Sequence, residues 1–424
     1  MATADQKNYE EKESENGMKI LQVLSRFPWP LKDGGALGYY NFSKGYADAG
    51  CELTMASLNT AKHLVDYSTL PDHVKNMADI HLSYIDNRLK PMDALMNLVF
   101  SRKSYHVQRF ISRRFARMLA ELCKRKQYDV VIFESIFVAP YLSVIRKHSN
   151  AVCILRCHNV EHEIWQNLAE RENNQVKKYY LNVLYKRLKR FEESVFRHFD
   201  GITTVTAQDA MLIRQMGFDK TIHVAPTGMD ISRLTVNHAA MELPSLLHLG
   251  SMDWRPNQEA VLWFIDHVWD KVSESFPDLK FYIAGRNMPP QFFDLNRENI
   301  VVLGEVEDAV RLMQEKAVVV VPLFSGSGIR VKILEGMALG KCIVSTPLGA
   351  RGIDVSDTHN ILIAHNEDEF AEKIIALFRN PSMITQIGNN ARQLVEENYE
   401  SSMVIRKTLD YYRSLAFGKH AQSA

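Results

Sequence analysis

Short apolar runs rich in β-branched residues alternate with amphipathic stretches along most of the chain, the pattern of parallel strands joined by helices. Residues 18–25 (MKILQVLS) predict a first strand, followed by a loop over 26–38 with Pro28, Pro30, Gly34 and Gly35, a helix over 36–49 and a strand over 52–58. Further strands are expected at 128–133 (YDVVIF), 151–156 (AVCILR), 202–206 and 222–224. Runs such as YDVVIF lack polar alternation, as strands buried on both faces do. The pattern then restarts, with strands over 246–250, 279–284, 300–303, 318–322 and 341–345, helices such as 257–275 between them, and a closing helical stretch over 384–414. The architecture repeats although the sequence does not. Two doubly wound sheets in tandem are expected, and such sheets bind ligands outside the carboxyl ends of their strands, so the cleft they form is the expected site. The predicted division is a lead over 1–17, a first Rossmann-like domain over 18–235, a second over 236–395, and a helix and tail over 396–424 that pack back on the first.

Composition narrows the class. The 424 residues are 46% apolar and 24% charged, which excludes fibrous and largely disordered chains. The longest apolar runs, such as 317–324, fall well short of the ~20 residues that cross a bilayer. Residues 1–17 are polar, without the apolar core of a secretion signal, so a disordered lead and a cytoplasmic protein are expected. Five scattered cysteines with no CxxC pair suggest neither a disulfide framework nor structural zinc. The net charge of +1 hides an asymmetry: 33 Lys+Arg against 26 Asp+Glu up to residue 235, and 18 against 24 beyond it. A basic half facing something anionic is the implication. No RNP-like or zinc-finger signature accompanies it, which argues against nucleic acid.

The most informative stretch is 318–338 (VVVVPLFSGSGIRVKILEGMA). An apolar strand ends at Pro322, a loop of Ser325, Gly326, Ser327 and Gly328 follows, and a helix begins near Arg330. Glycines let backbone amides approach a ligand, and a helix N-terminus favours an anion. Arg330 and Lys332 add positive charge there, so two phosphates fit. Glu335, further along the helix, suits a ribose diol. A solvated flexible loop is the alternative reading. Gly250, Arg286 and Gly304 also sit where strands end, as does His158 in the segment RCHNVE.

Together with VAPTGMD at 224–230, this order of segments resembles the group one (family four) glycosyltransferases over roughly 18–414, and within them the branch with a G-x-G-x-R-x-K-x-x-E segment, here 326–335. The resemblance implies a GT-B architecture and transfer of a sugar, with retention, from a nucleoside-diphosphate sugar to a hydroxyl of a glycan or lipid-linked acceptor in cell-surface polysaccharide or glycolipid synthesis. It implies catalytic roles for His158, Arg330 and Lys332, donor binding by Glu335, Gly326, Ser327, Gly328, Ile329, Gly250 and Arg286, and an acceptor or phosphate loop at Gly34 and Gly35. With no DxD pair at a strand end, neither a metal nor another cofactor is expected.

Two departures stand out. The glutamate that many relatives carry about eight positions before the second one is missing, and Gly250-Ser251-Met252 replaces the usual Gly-Arg-Leu. Arg330 and Lys332 are therefore expected to take over the diphosphate. A non-hydrolysing nucleotide-sugar epimerase would share the architecture, but its Arg-Pro-Glu signature after the first strand is missing; a catalytically silent scaffold of the same fold stays open. Between Tyr105 and Lys126, Val107, Phe110, Ile111, Met118, Leu119 and Leu122 recur at helical spacing, with Arg109, Arg113 and Arg117 on another side. Eleven basic residues against three acidic ones over 86–126, and a second basic cluster over 177–190, mark either a solvated face or, as in many relatives, a surface for an anionic membrane.

Overall fold

A computed structural model describes residues 17–31, 34–101, 103–170, 172–232, 234–295, 297–325 and 329–423. The lead expected over 1–17 lies outside them except for Gly17. The chain forms two compact units, one running to Gly228 and taking back Val404–Ala424, the other Met229–Met403.

The first unit is built on seven parallel strands, β1 (Lys19–Leu24), β2 (Glu52–Thr60), β3 (Asp79–Ile85), β4 (Val130–Glu134), β5 (Val152–Cys157), β6 (Gly201–Thr204) and β7 (Ile222–Val224), in the order β3-β2-β1-β4-β5-β6-β7. Every residue of β4 and β5 is buried, because helices cover both faces. Those used below are α1 (Gly34–Asp48), α2 (Pro91–Phe100), α3 (Tyr105–Gln108), α4 (Arg113–Arg125), α5 (Glu161–Glu170) and α6 (Gln175–Phe196). The helix expected over 105–126 is broken into α3 and α4. Ser112 caps α4 by accepting from the Phe115 N–H, and its own N–H donates to Tyr141 Oη at 2.6 Å. The break turns Phe115, which the spacing did not single out, into a fully buried core residue. The edge strand β3 was not anticipated, since its burial is only partial and irregular.

The second unit holds six parallel strands, β8 (Glu242–Leu249), β9 (Lys280–Ala284), β10 (Ile300–Gly304), β11 (Lys316–Val321), β12 (Cys342–Ser345) and β13 (Leu362–Ile363), in the order β10-β9-β8-β11-β12-β13. Two of its helices, α7 (Arg255–Phe264) and α8 (Val331–Ala338), carry the site. The helix expected over 257–275 continues past α7 as a wider π turn, Ile265–Trp269, before one last α turn. Likewise the closing helix is two helices, α9 (Ser382–Asn398) and α10 (Ser401–Ser423), separated where the Met229 N–H bonds the Tyr399 carbonyl. As expected, α10 packs on the first unit: Val404, Leu409, Tyr412 and Ala416 join the core that holds Phe42 and Tyr46.

Each sheet reverses its order once, between β1 and β4 and between β8 and β11. At such a point neighbouring loops run in opposite directions and leave a crevice at the carboxyl ends of the strands. The candidate residues collect at these two places.

Candidate active site

In the second unit the loop after β8 and the loop after β11 flank the reversal. Gly326, Ser327 and Gly328, expected to cradle phosphates, lie outside the described residues. The loop enters with Ser325, whose Oγ donates to Glu259 Oε2 at 3.0 Å, and leaves through Ile329, partly buried against the core of Ile333 and Met337. Arg330 precedes the first turn of α8 with an extended backbone and provides no side-chain cap. First-turn N–H groups of an uncapped helix are ready partners for an anion. The Arg330 side chain is buried, its guanidinium 5.2 Å from the centre of the Trp254 ring.

Lys332, one turn in, donates its Nζ to Asn257 Oδ1 at 2.8 Å, and Asn257 in turn donates Nδ2 to the Ser251 carbonyl at 2.8 Å. Burial first, and then the Arg330 guanidinium, push the Lys332 ammonium down to about 7. Among the described residues no carboxylate offsets those two effects. Glu335 follows Lys332 on the same helix face, three residues on. It is half-buried, and burial alone raises its carboxyl above the usual range. Lys332 and Glu335 thus share one side of α8, with Arg330 at its start.

The glycines explain how these groups meet. A Cβ on Gly250 would lie 2.6 Å from Asn257 Nδ2 and 3.1 Å from Lys332 Nζ, so the missing side chain leaves room for their hydrogen bond. Gly285 has φ +157° and a Cβ there would sit 1.7 Å from the Gly250 carbonyl oxygen. Only glycine lets the ends of β8 and β9 come together, tied by Gly250 N–H to the Ala284 carbonyl at 3.0 Å. Arg286 is exposed, its carbonyl accepting from the Met252 N–H at 2.8 Å. His248, fully buried on β8, donates Nδ1–H to the Val320 carbonyl at 3.1 Å, and burial together with Lys332 holds it neutral.

In the first unit His158 stands immediately after β5, as its place in the sequence predicts. Its Nε2 lies 3.0 Å from Glu134 Oε2 at the end of β4. Arg156 Nη1, which can only donate, is also 3.2 Å from Nε2 but already donates to Glu134 Oε2; the carboxylate only accepts, so we assign the ring proton to Nε2, which leaves Nδ1 as the basic nitrogen. Glu134 is fully buried, and burial raises its pKa, yet Arg156 and His158 outweigh that and hold it near 2. Arg156 Nη1 donates to Glu134 Oε2 at 3.0 Å, and Gln22 Nε2 on β1 donates to Glu134 Oε1 at 2.8 Å. Ser43 Oγ on α1 completes the chain by donating to Gln22 Oε1 at 2.7 Å. The Arg156 guanidinium lies 3.5 Å from the centre of the Phe42 ring, a cation–π contact in place of further hydrogen bonds. Burial first, and Arg156 next, lower the His158 pKa, with Glu134 opposing them.

Helix α1 begins at Gly34 and Gly35 themselves, so the pair forms a first helical turn where a loop was expected. The same helix reaches His158 further on: a Cβ on Gly38 would lie 3.9 Å from His158 Cε1, and the Tyr39 ring meets the imidazole edge-on at 4.5 Å. Gly34, Gly35 and His158 are therefore held by one packed pair, α1 and the end of β5. Sequence reasoning missed Glu134, Gln22, Asn257 and Trp254. For Glu134 a signal existed, since a carboxylate closing a run buried on both faces has to be paired.

Two family models match the chain in order: Glycosyltransferase Family 4 over residues 33–233 and Glycosyl transferases group 1 over residues 243–380. An uncharacterized 44.6 kDa protein in the cps region of Klebsiella pneumoniae is 22% identical over 401 residues, spanning 91% of this chain and 97% of that one. The crystal structure of Anabaena Alr3699/HepE in complex with UDP is similar with a TM-score of 0.60 at 13% identity, covering 94% of this chain and 100% of that one. Sucrose-phosphate synthase from Thermosynechococcus elongatus gives 0.62 at 14% identity, covering 94% and 99%. At such identities the likeness is one of fold, two Rossmann-like units in tandem.

Proposed function

We propose that the chain, matched in order by the Glycosyltransferase Family 4 and Glycosyl transferases group 1 models, is a glycosyltransferase that moves a sugar, with retention at the anomeric carbon, from a nucleoside-diphosphate sugar to a hydroxyl of a glycan or lipid-linked acceptor. The observation that carries this reading is the set on α8: Arg330 and Lys332 beside an uncapped helix start, with Glu335 one turn further. Arg330, Lys332 and the first-turn amides hold the diphosphate, and Glu335 accepts from the ribose hydroxyls. When the bond from the anomeric carbon to the diphosphate oxygen breaks, negative charge grows on that oxygen, and preorganised N–H groups and cations stabilise it without a metal ion. The bond to the acceptor oxygen forms, and the hydroxyl proton leaves with the diphosphate. His158, in the first unit, orients the sugar and acceptor through Nδ1, since Nε2 is committed to Glu134. A relative from a cps region supports synthesis of a cell-surface polysaccharide as the setting.

Glu335→Ala is expected to weaken nucleoside diphosphate binding by ~1.5–3 kcal/mol, the worth of a hydrogen bond to a charged group, with the melting temperature of the free protein unchanged. Titration calorimetry with UDP, GDP and ADP in a chelator checks it. Unchanged affinity rejects the ribose assignment, and binding that requires added magnesium rejects metal independence.

The acceptor side of the proposal includes an anionic membrane. Among the described residues no helix is long and apolar enough to cross one. Helix α2, however, leaves Met92, Met96, Val99 and Phe100 exposed, the last at 77%, and Arg88 and Lys90 flank its start. Apolar side chains rimmed by cations suit the surface of an anionic bilayer, where each basic residue contributes ~1 kcal/mol. The protein is expected to cosediment with phosphatidylserine-containing vesicles at low salt and to leave them at high salt, because the attraction is screened. Failure to bind at low salt rejects the membrane surface.

A further inference from the structure

Beside the carboxyl end of β3 the first unit carries an open cavity of about 490 Å³, bordered by α2, α3 and the segment that leaves the strand. That volume is in the range of small-ligand sites. Its lining combines Asp86, Arg88, Lys90, Asn97, Tyr105 and Arg109. The walls are built rather than incidental. Tyr105 Oη both donates to the Lys90 carbonyl and accepts from the Lys90 N–H at 3.3 Å. Asn97 donates Nδ2 to Gln108 Oε1 at 2.5 Å, and Arg187 of α6 donates Nη1 to Asn97 Oδ1 at 3.0 Å.

Three cations, Arg88, Lys90 and Arg109, and two carboxylates, Asp86 and Asp93, line this cavity, and their charge is unevenly satisfied. Asp86 is held by Arg88 at 2.9 Å and by Lys90 at 3.5 Å. Arg109 has no carboxylate partner among the described residues. Its Nη1 donates to the Asn87 carbonyl at 3.0 Å, its plane is 5.7 Å from the Tyr105 ring centre and 5.9 Å from that of Phe110, and its Nε is buried without a hydrogen-bond partner. Ser104 Oγ and His106 Nε2, in the same short segment, are also buried and unpartnered. A guanidinium taken out of water costs free energy unless an anion meets it, and it presents a planar fork suited to a carboxylate or phosphate. Beside it Phe100 offers an exposed aromatic ring and Gln108 the N–H groups of its amide, while Asn97 is spent on Lys103, Gln108 and Arg187; a ring face and an amide donor suit a sugar and its hydroxyls.

We propose that this cavity is a subsite for an acidic sugar unit of the acceptor, one bearing a carboxylate or a phosphate that Arg109 binds. The inference rests on the glycosyltransferase reading and adds the class of acceptor. It makes the acceptor an anionic saccharide, and it separates recognition of that acid from the donor diphosphate site on α8.

Calorimetry or ligand-observed NMR with glucuronate, glucose 1-phosphate and glucose, without nucleotide, tests it. One or both acids are expected to bind at least tenfold more tightly than glucose, and the better acid identifies carboxylate or phosphate as the group. Arg109→Gln is expected to abolish that preference while nucleoside diphosphate binding stays intact, which also reports that the variant is folded. Should Arg109→Gln not fold, Arg88→Gln, at an exposed position on the rim, serves instead and is expected to weaken the acid about threefold. Lys332→Ala is expected to leave acid binding unchanged. Equal binding of acids and glucose, no effect of the cavity variants, or loss of acid binding in Lys332→Ala overturns the subsite. Acid binding that depends on Arg109 in a protein that binds no nucleoside diphosphate keeps the subsite and overturns the glycosyltransferase reading instead.

Discussion

Replacing Arg330 and Lys332 together by alanine is expected to lower turnover by ~10²–10³-fold or more, the cost of removing a single donor from a site where charge develops. Nucleoside monophosphate binding is expected to fall much less, because the distal phosphate carries the leaving-group charge. Equal losses for mono- and diphosphate count against the clamp. Lys332 adds a pH signature. Its ammonium is depressed to about 7, so in the free protein it is largely neutral at pH 8. A bound diphosphate favours the charged form, so binding at that pH takes up a proton and affinity falls as pH rises from 7 to 9, by at most about one log unit per pH unit. The ligand's own last ionisation, near pH 6, is complete throughout that window. Calorimetry in buffers of different ionisation enthalpy reads the uptake directly. In Lys332→Ala the slope should vanish, and a slope that persists removes Lys332 from the phosphate site.

The second large effect is expected at Glu134. Removing it by Glu134→Ala leaves Arg156 charged, fully buried and without its carboxylate, a situation that costs ~3–5 kcal/mol of stability. Denaturant unfolding at pH 7 measures it. Glu134→Gln, which keeps the volume and one of the two acceptor oxygens, should cost less. The sign of the pH dependence follows from a carboxyl held near 2 against an ordinary 4.5. Its stabilisation is complete above pH 4.5 and is lost as pH falls toward 2, so the gap between wild type and Glu134→Ala should be constant from pH 7 to 5 and close below that. A gap under ~1 kcal/mol at pH 7 would falsify the role of Glu134 as the counter-ion of the triad. Transfer should fall with Glu134→Ala, since His158 loses the partner that fixes its tautomer, and less with Glu134→Gln, whose remaining oxygen can still accept from Nε2.

How much of this was legible without coordinates depends on the range of the interaction. The β-branched runs within 128–133 and 318–322 announce buried strands because a segment covered on both faces is apolar along most of its length. Ser-Gly-Ser-Gly between such a run and a helix announces a place for an anion, and a histidine directly after a strand announces a strand-end site. These signals are local. The edge strand β3 was illegible because edge strands are only partly covered, and its Asp79 and His81 pair with each other at the surface. The break between α9 and α10 was illegible too, since it depends on a bond between Tyr399 and Met229.

The sequence by itself determined the two alternating α/β units, the place of Arg330, Lys332 and Glu335 at the start of a helix, and the strand-end position of His158, because periodicity and turn chemistry act over a few residues. Only the tertiary structure decided what these groups touch. Setting β1 between β2 and β4 brings Gln22 to Glu134 across 112 positions of chain, and setting β8 beside β11 brings Asn257 to Lys332 across 75. The same packing makes Gly250 a space for that contact, depresses the Lys332 ammonium, and sets Arg109 in a cavity with no ion-pair partner of its own among the described residues. Strand order has no local signature: it is selected by the burial of whole sheets, so pairings that depend on it become readable only once the chain has folded.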